Sequence, residues 1–444
     1  MGKTTKYATL FVLIFTLIAI VFYWNHRQDR SVGEFNKEEQ ASLKIMYFSE
    51  SDFLNKFGGM FQVKYPNVTV EVAPMANVFN SAEKYYEILD EFIEEHHPDI
   101  LLLNPESYAK YSGEGRLYNL DTLIASDRFD IQNMAPSVIE VLTRSGGGAL
   151  HGLTPQFANN ALFFNRKLFD EYGVPYPTDR MSWQDVVSLA QRFPHNDDIY
   201  GLEVLSSASP FFLFTNMLQT HGLVPFDAEQ KRVTVLTPSW KNLLSATVQA
   251  KQSGILLPPR TRNPQPMSPG DYLKSFPFIA GKTAMYFSGS SFLRELNLVE
   301  QTWKEDVLDW DVVTAPVDPQ QRDYSANYSL MNIYAISANT THLRPAWELI
   351  KFIHSEEMAK ILAVTEDSLL PSRTNQIKKW GDRNLKAFWT LKPQENTGQA
   401  VPLQLSNSFW LMARPEIEAA LNGTQSVDES LSHIQEKGEK LLVE

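Results

Sequence analysis

Trp410 and Arg414 stand four residues apart in a stretch with helical patterning. On a helix that spacing puts both side chains on one face, so a flat aromatic surface and a guanidinium are offered to one cleft. Such a pair suits binding through stacking and hydrogen bonds. Other candidates lie at predicted strand ends: Glu50 follows Ser49, Glu106 follows Asn104 and Pro105, and Gln156-Phe157-Ala158-Asn159-Asn160 precedes an apolar run. From the residues alone, Asn159-Asn160 reads equally as a turn before a strand or as a ligand patch. Spacing suited to bond-breaking is missing. Glu94-Glu95-His96-His97 lacks the i, i+4 histidine pair that places two metal ligands on one helix face. Gly146-Gly147-Gly148 lacks a Gly-x-Gly-x-x-Gly phosphate loop, and the absence of cysteine excludes thiolate chemistry and disulfides. A binding role with no metal and no cofactor, rather than an enzyme, is the expectation.

These side chains need elements to position them. Residues 43–48 (LKIMYF) predict a strand, 52–61 a helix, 68–72 a second strand after the Tyr65-Pro66-Asn67 turn, and 99–103 a third. Ala161-Leu162-Phe163-Phe164 reads as a buried strand, followed by a short helix from Asn165, a break at Gly173-Val174-Pro175, and a helix whose Ser182 and Asp185 form a capping-box pattern. Further strands are expected at 200–204, 283–287 and 309–313, with helices near 211–219, 240–252 and 290–298. An extended segment at 327–337 leads into helices at 345–353, 356–364, 408–421 and 427–442, the last capped by Ser426 and Glu429. Two sets of alternating strands and helices predict two α/β lobes with mostly parallel sheets, which bind ligands beyond the carboxyl ends of their strands.

The 444 residues, 43% hydrophobic and 12% aromatic, suffice for two or three domain-sized units. A net charge of −12 disfavours nucleic acid as a partner. Residues 7–24 (YATLFVLIFTLIAIVFYW) carry no charge and reach the lower length limit of a membrane-crossing helix. Phe22, Tyr23 and Trp24 stand where a small-residue cleavage site would lie. The expectation is a retained signal-anchor with the remainder outside the cell and residues 25–40 as a polar tether.

As a pattern, His151-Gly152-Leu153-Thr154-Pro155 through the Ser182-Trp183-Gln184-Asp185 helix start resembles the hinge segment of extracellular solute-binding proteins of sugar importers. The segment from Phe278-Ile279-Ala280-Gly281-Lys282-Thr283-Ala284-Met285 to Gly289 is similar to that family's Phe-x-x-Gly-Lys-x-Ala-Met signature. Asn407-Ser408-Phe409-Trp410-Leu411-Met412-Ala413-Arg414 and Ala420-Leu421-Asn422-Gly423-Thr424 resemble the end of maltose-binding proteins. The resemblance spans roughly residues 41–442.

It implies a two-lobe periplasmic-binding-protein-like fold that closes on a carbohydrate, here an oligosaccharide, and delivers it to an ABC permease, preceded in this chain by one transmembrane helix. Implied lobes are 41–154 with 316–353, and 155–315 with 354–444, after an anchor at 1–40; crossovers are expected near 153–160, 314–317 and 352–356. Matched position by position, Trp410 falls at a ring-stacking Trp, Arg414 at an Arg that reaches a sugar hydroxyl, Phe211 at a stacking Tyr, and Glu106 at an Asp that accepts from hydroxyls. Ser291 replaces a stacking Trp and Leu411 a Tyr, which implies a ligand smaller than maltose or shaped differently from it. Sugars need flat faces for their C–H surfaces and paired donors and acceptors for their hydroxyls. Trp410, Phe211 and Phe157 are candidates for the first role. Glu50, Asn104, Glu106, Gln156, Asn159, Asn160, Ser290, Ser291 and Arg414 are candidates for the second. The alternatives are a sensory sugar-binding subunit or a glycan hydrolase.

Overall fold

The computed structural model describes residues 35–442, apart from 37, 39, 81–83, 195–198, 206–208, 228, 230, 259–266, 304–307, 367, 378–380, 395–400 and 402. The expected span at 7–24 and most of the tether lie outside the described residues. Among the described residues no helix is long and apolar enough to cross a membrane.

The first sheet has the order β2-β1-β3-β12-β4, from β1 (Ala41–Tyr47), β2 (Val68–Pro74), β3 (Ile100–Leu103), β4 (Gly152–Leu153) and β12 (Ile333–Ile336). β1 pairs in parallel with β2 and β3, whereas β12 runs antiparallel to β3 and to β4. The second sheet, β7-β8-β6-β9, combines β6 (Asn160–Asn165), β7 (Tyr200–Val204), β8 (Thr283–Gly289) and β9 (Trp310–Thr314). Here only β7 and β8 are parallel; β6 runs against β8 and β9. Both sheets are therefore mostly parallel in strand direction, with one reversed strand each, β12 in the first and β6 in the second. Each acquires its antiparallel strand where the chain enters from the other lobe, a reversal that local sequence does not encode. The buried runs behave as expected: Leu101 to Leu103 and Leu162 to Phe164 have helices covering both faces and are shielded from water.

A third, small sheet joins the two. β5 (Gln156–Ala158) pairs antiparallel with β11 (Ser329–Leu330) on one side and β13 (Leu370–Pro371) on the other. A parallel pair, β10 (Tyr324–Ser325) with β14 (Lys392–Pro393), lies beside it. The chain thus leaves the first sheet at Leu153 and joins the second at Asn160, and it returns between Thr314 and Ile333.

The third crossing is displaced from the expected 352–356. Residues 354–373 remain bonded to the first lobe: Arg373 pairs with Asp130 at 3.2 Å, the Ala135 amide donates to Ser372 O at 2.7 Å, and Glu366 pairs with Lys56 at 2.6 Å. Only at Asp382 to Asn384 do partners change to the second sheet, where Arg383 Nε donates to Trp310 O and the Asn384 amide to Asp311 Oδ1. The helix α1 (Glu356–Thr365) continues from Leu343–Ile353 through the Ser355 cap without leaving that lobe, so the break between two predicted helices is a bend and not a crossing.

The carboxyl end packs on the second lobe. α2 (Leu403–Leu421) and α3 (Val427–Leu441) lie against helices Pro210–Thr220 and Pro238–Gln252, and bury Phe409, Ala413, Ile417, Leu431 and Ile434. Both expected capping boxes form, at Ser182 with Asp185 and at Ser426 with Glu429.

Candidate functional site

Strand direction brings two edges face to face. β4 is parallel to β3, because both run against β12, so Leu153 ends at the edge where β1 and β3 also end. Seven residues later the chain starts β6 at Asn160, which pairs with Gly289 at the end of β8, while Ala161 pairs with Thr314 at the end of β9. The carboxyl edges of the two sheets therefore border one cleft, floored by β5, β11 and β13. This is where strands leave unpaired backbone and loop side chains for a ligand.

On the first lobe, Glu50 opens the short helix Glu50–Phe53, which Ser49 caps. Asn104 caps the helix Pro105–Gly113, its Oδ1 accepting from the Ser107 amide at 2.7 Å, so its side-chain oxygen is committed to the helix. Glu106, the second residue of that helix, is exposed. Tyr85 and Tyr86 begin the helix Tyr85–His96, whose first turn lies beside the Asn104 cap: Ser107 Oγ is 3.5 Å from the Tyr85 hydroxyl, and Lys110 bonds Asp90 at 2.7 Å. Burial pushes both tyrosine hydroxyls up from their ordinary pKa; the Ser107 hydrogen bond opposes this at Tyr85, and the nearby Glu106 carboxylate adds to it at both. Glu94, Glu95 and His96 end that helix at the opposite edge of the sheet, and His97 terminates it in the left-handed conformation at φ 46°. Among the described residues, no group of three or more His, Asp or Glu side chains is arranged to hold a metal ion.

On the second lobe, Phe211 starts the helix that follows β7. Trp410 of α2 is half-buried, its ring 20° from parallel to Trp240 at 6.3 Å and edge-on to Phe211 at 6.1 Å. Arg414 lies one turn further, with its guanidinium 5.1 Å from the Phe211 ring and 2.8 Å from Glu418 Oε1. Trp410 and Arg414 thus do share one face, joined by Phe211, while Phe409 turns into the core. Ser291 is exposed; Ser290 is buried, and its hydroxyl has no hydrogen-bond partner among the described residues.

Several expected contacts are structural. Phe157 is 0% exposed and packs on Tyr328, because β5 is the centre of the joining sheet and its ring is covered from both sides. Phe211 is 7% exposed and serves as the seat of Trp410 and Arg414 rather than as an open platform. Gln156 is buried with Nε2 3.5 Å from Glu366 O. Asn159 is buried, donating to Phe388 O at 2.8 Å while its Oδ1 accepts from the Asn160 amide. Asn160 is partly open and donates to Asn327 Oδ1 at 3.2 Å. Exposed side chains that residue chemistry overlooked stand on the first lobe's edge: Phe48, directly after β1, Tyr86, and Met331, between β11 and β12. The available signal was position, an aromatic or apolar residue just outside a strand or helix end.

Residues 56–387 match the family model described as bacterial extracellular solute-binding protein. Among solved structures, the chain is similar to an extracellular solute-binding protein family 1 from Alicyclobacillus acidocaldarius (15% identity, 91% of this chain and 99% of that one, TM-score 0.67). It is also similar to the sugar-binding protein MalE from Xanthomonas citri (16%, 90% and 97%, TM-score 0.62). A third likeness is to an ABC substrate-binding protein from Listeria monocytogenes in complex with cycloalternan (20%, 90% and 99%, TM-score 0.53). These likenesses extend over both lobes and are likenesses of fold.

Proposed function

The chain belongs to the bacterial extracellular solute-binding proteins, and from that premise we propose that it binds an oligosaccharide in the cleft between its lobes and delivers it to an ABC-type permease. The observation that carries the reading is the Trp410, Phe211 and Arg414 arrangement on the second lobe, where a half-buried indole and a guanidinium share one helix face seated on Phe211. A half-open indole supplies the flat face that a pyranose C–H surface needs, and the guanidinium, with the carboxylates of Glu50 and Glu106 at the carboxyl edge of the first sheet, supplies donors and acceptors for hydroxyls. The sugar-binding protein and the cycloalternan complex among its structural likenesses support carbohydrate as the solute class. The lobes divide near residue 154, near residue 315 and beyond Arg373, and hinge at the joining sheet.

A ligand that binds only the folded chain raises its melting midpoint in proportion to RT ln(1 + [L]/Kd). In a thermal-shift screen over a glycan library, at least one oligosaccharide shifts the midpoint upward and is recovered unchanged; a library without any shift refutes the carbohydrate reading. The uncharged run at 7–24 supports attachment to the cell membrane by a retained amino-terminal helix. Intact mass of membrane-extracted protein then includes residue 7, and a soluble form starting near residue 30–40 overturns the anchor.

A further inference from the structure

We propose that Phe48 and Tyr86 form a second aromatic wall on the first lobe, across the cleft from Trp410, where they pack on the apolar face of a sugar ring; this rests on the carbohydrate reading. Phe48 is the first residue beyond β1. Alternation turns Tyr47 into the core, where it stacks at 6.5 Å with Tyr334, and leaves Phe48 39% exposed. Tyr86 is 42% exposed. Its helix begins on the return from β2 and runs back toward the start of β3, so its first turn stands at the same carboxyl edge. Met331, 51% exposed, joins them there, because β12 enters antiparallel with Ile333 opposite Leu103 at the end of β3.

Three exposed apolar side chains placed by the topology at one sheet edge make a candidate binding surface, whereas apolar residues exposed singly do not. Both rings are also preset. Tyr86 lies edge-on to Tyr85 at 5.3 Å, and Lys110, 5.4 Å from the Tyr86 ring, is itself tethered to Asp90. Phe48 is edge-on to Tyr47 at 5.5 Å. A ring held before the ligand arrives gives up little freedom on binding. Glu50 follows Phe48 by two residues and the Glu106 charge reaches Tyr86, so a stacking surface and hydroxyl acceptors occur at the same edge, as a sugar ring requires. In this arrangement the first lobe supplies the flat surface that Ser291 and Leu411 lack on the second.

The test uses the full chain and a glycan that shifts its melting midpoint. Calorimetric titration compares Phe48→Ala, Tyr86→Ala and the shape-filling Phe48→Leu and Tyr86→Leu, which keep apolar volume but lose the flat face, with Tyr86→Phe as the conservative control. Each loss of a ring is expected to weaken affinity about fivefold to tenfold, with Tyr86→Phe close to the unaltered chain. Unliganded melting midpoints should stay near the original for the leucine variants. Unchanged affinity in the alanine and leucine variants, alongside a loss in Trp410→Ala, overturns the wall and leaves the carbohydrate reading standing. Full affinity in both leucine variants likewise overturns it, even where the alanine variants fail to fold. If no glycan shifts the unaltered chain, the reading itself falls and this inference with it.

Discussion

Trp410 joins two roles in one ring. One face rests on Trp240, which is core, and an edge meets Phe211, so truncation removes packing as well as any stack on a ligand. Trp410→Ala is therefore expected to lower the melting midpoint and, separately, to weaken affinity for the glycan by roughly tenfold or more, since about 1.4 kcal/mol is a factor of ten. Arg414→Ala removes a half-exposed head and leaves the midpoint nearly unchanged, while losing a charge-assisted hydrogen bond of about 1.5–3 kcal/mol if the guanidinium meets a hydroxyl. Titration paired with melting curves separates the effects; Arg414→Ala at full affinity would return that side chain to a partner of Glu418. The pairing of these two residues was legible because i, i+4 spacing on a helix dictates a shared face. What stayed hidden was burial. Phe157 and Phe211 have the residue type of a stacking platform, but whether a ring is open depends on partners 199 and 213 residues away, Trp410 beside Phe211 and Leu370 beside Phe157.

The elements themselves follow local rules closely. Capping boxes at Ser182 and Ser426, the proline that opens Pro105–Gly113 and the aromatic strand Asn160–Asn165 all appear where short-range chemistry puts them. Strands of two or three residues do not, because β4, β5, β11 and β13 owe their existence to partners across the chain and not to any pattern of their own. Asn159 shows what such an element needs. Its amide is buried between β5 and β6, donates to Phe388 O at 2.8 Å and accepts from Asn160 N at 2.9 Å, which ties the first crossover to the returning carboxyl segment. Asn159→Leu fills the space but orphans a buried carbonyl and a buried amide, at a cost of about 1–3 kcal/mol for each unsatisfied group. Denaturant titration should show a midpoint loss of that size. A variant as stable as the original would mean that water replaces the amide and that the crossover does not depend on it.

At the scale of the whole molecule, a buried histidine of the first lobe also sets a limit in acid. His354 follows the helix Leu343–Ile353 and is 2% exposed; its Nδ1 donates to Ile350 O at 2.7 Å, its ring stands edge-on to Tyr334, and its carbonyl accepts from Arg373 Nε at 2.6 Å. Burial, aided by the Arg373 charge, holds the imidazole down to about 4 from its ordinary 6.5. The unfolded chain therefore takes up a proton as pH falls through about 6.5, while the folded chain refuses it until about pH 4. Above pH 6.5 both states are neutral and the group contributes nothing to pH dependence; between the two values stability declines, by about 3 kcal/mol in total at 1.36 kcal/mol per unit. Asp127 acts lower on the scale: burial opposes its charge, but Lys351 and Arg344 overcome that and hold it at about 2, so its share is lost only below its ordinary 3.8. The window from 6.5 to 4.5 thus isolates the histidine from this carboxylate. Replacing it by a neutral group of similar length, His354→Gln, costs stability at every pH but removes the proton. Denaturant midpoints measured at pH 7.5 and pH 4.5 should then differ markedly for the original chain and much less for the variant. Equal pH dependence in the two proteins would place the acid sensitivity at other groups and leave His354 a packing residue alone.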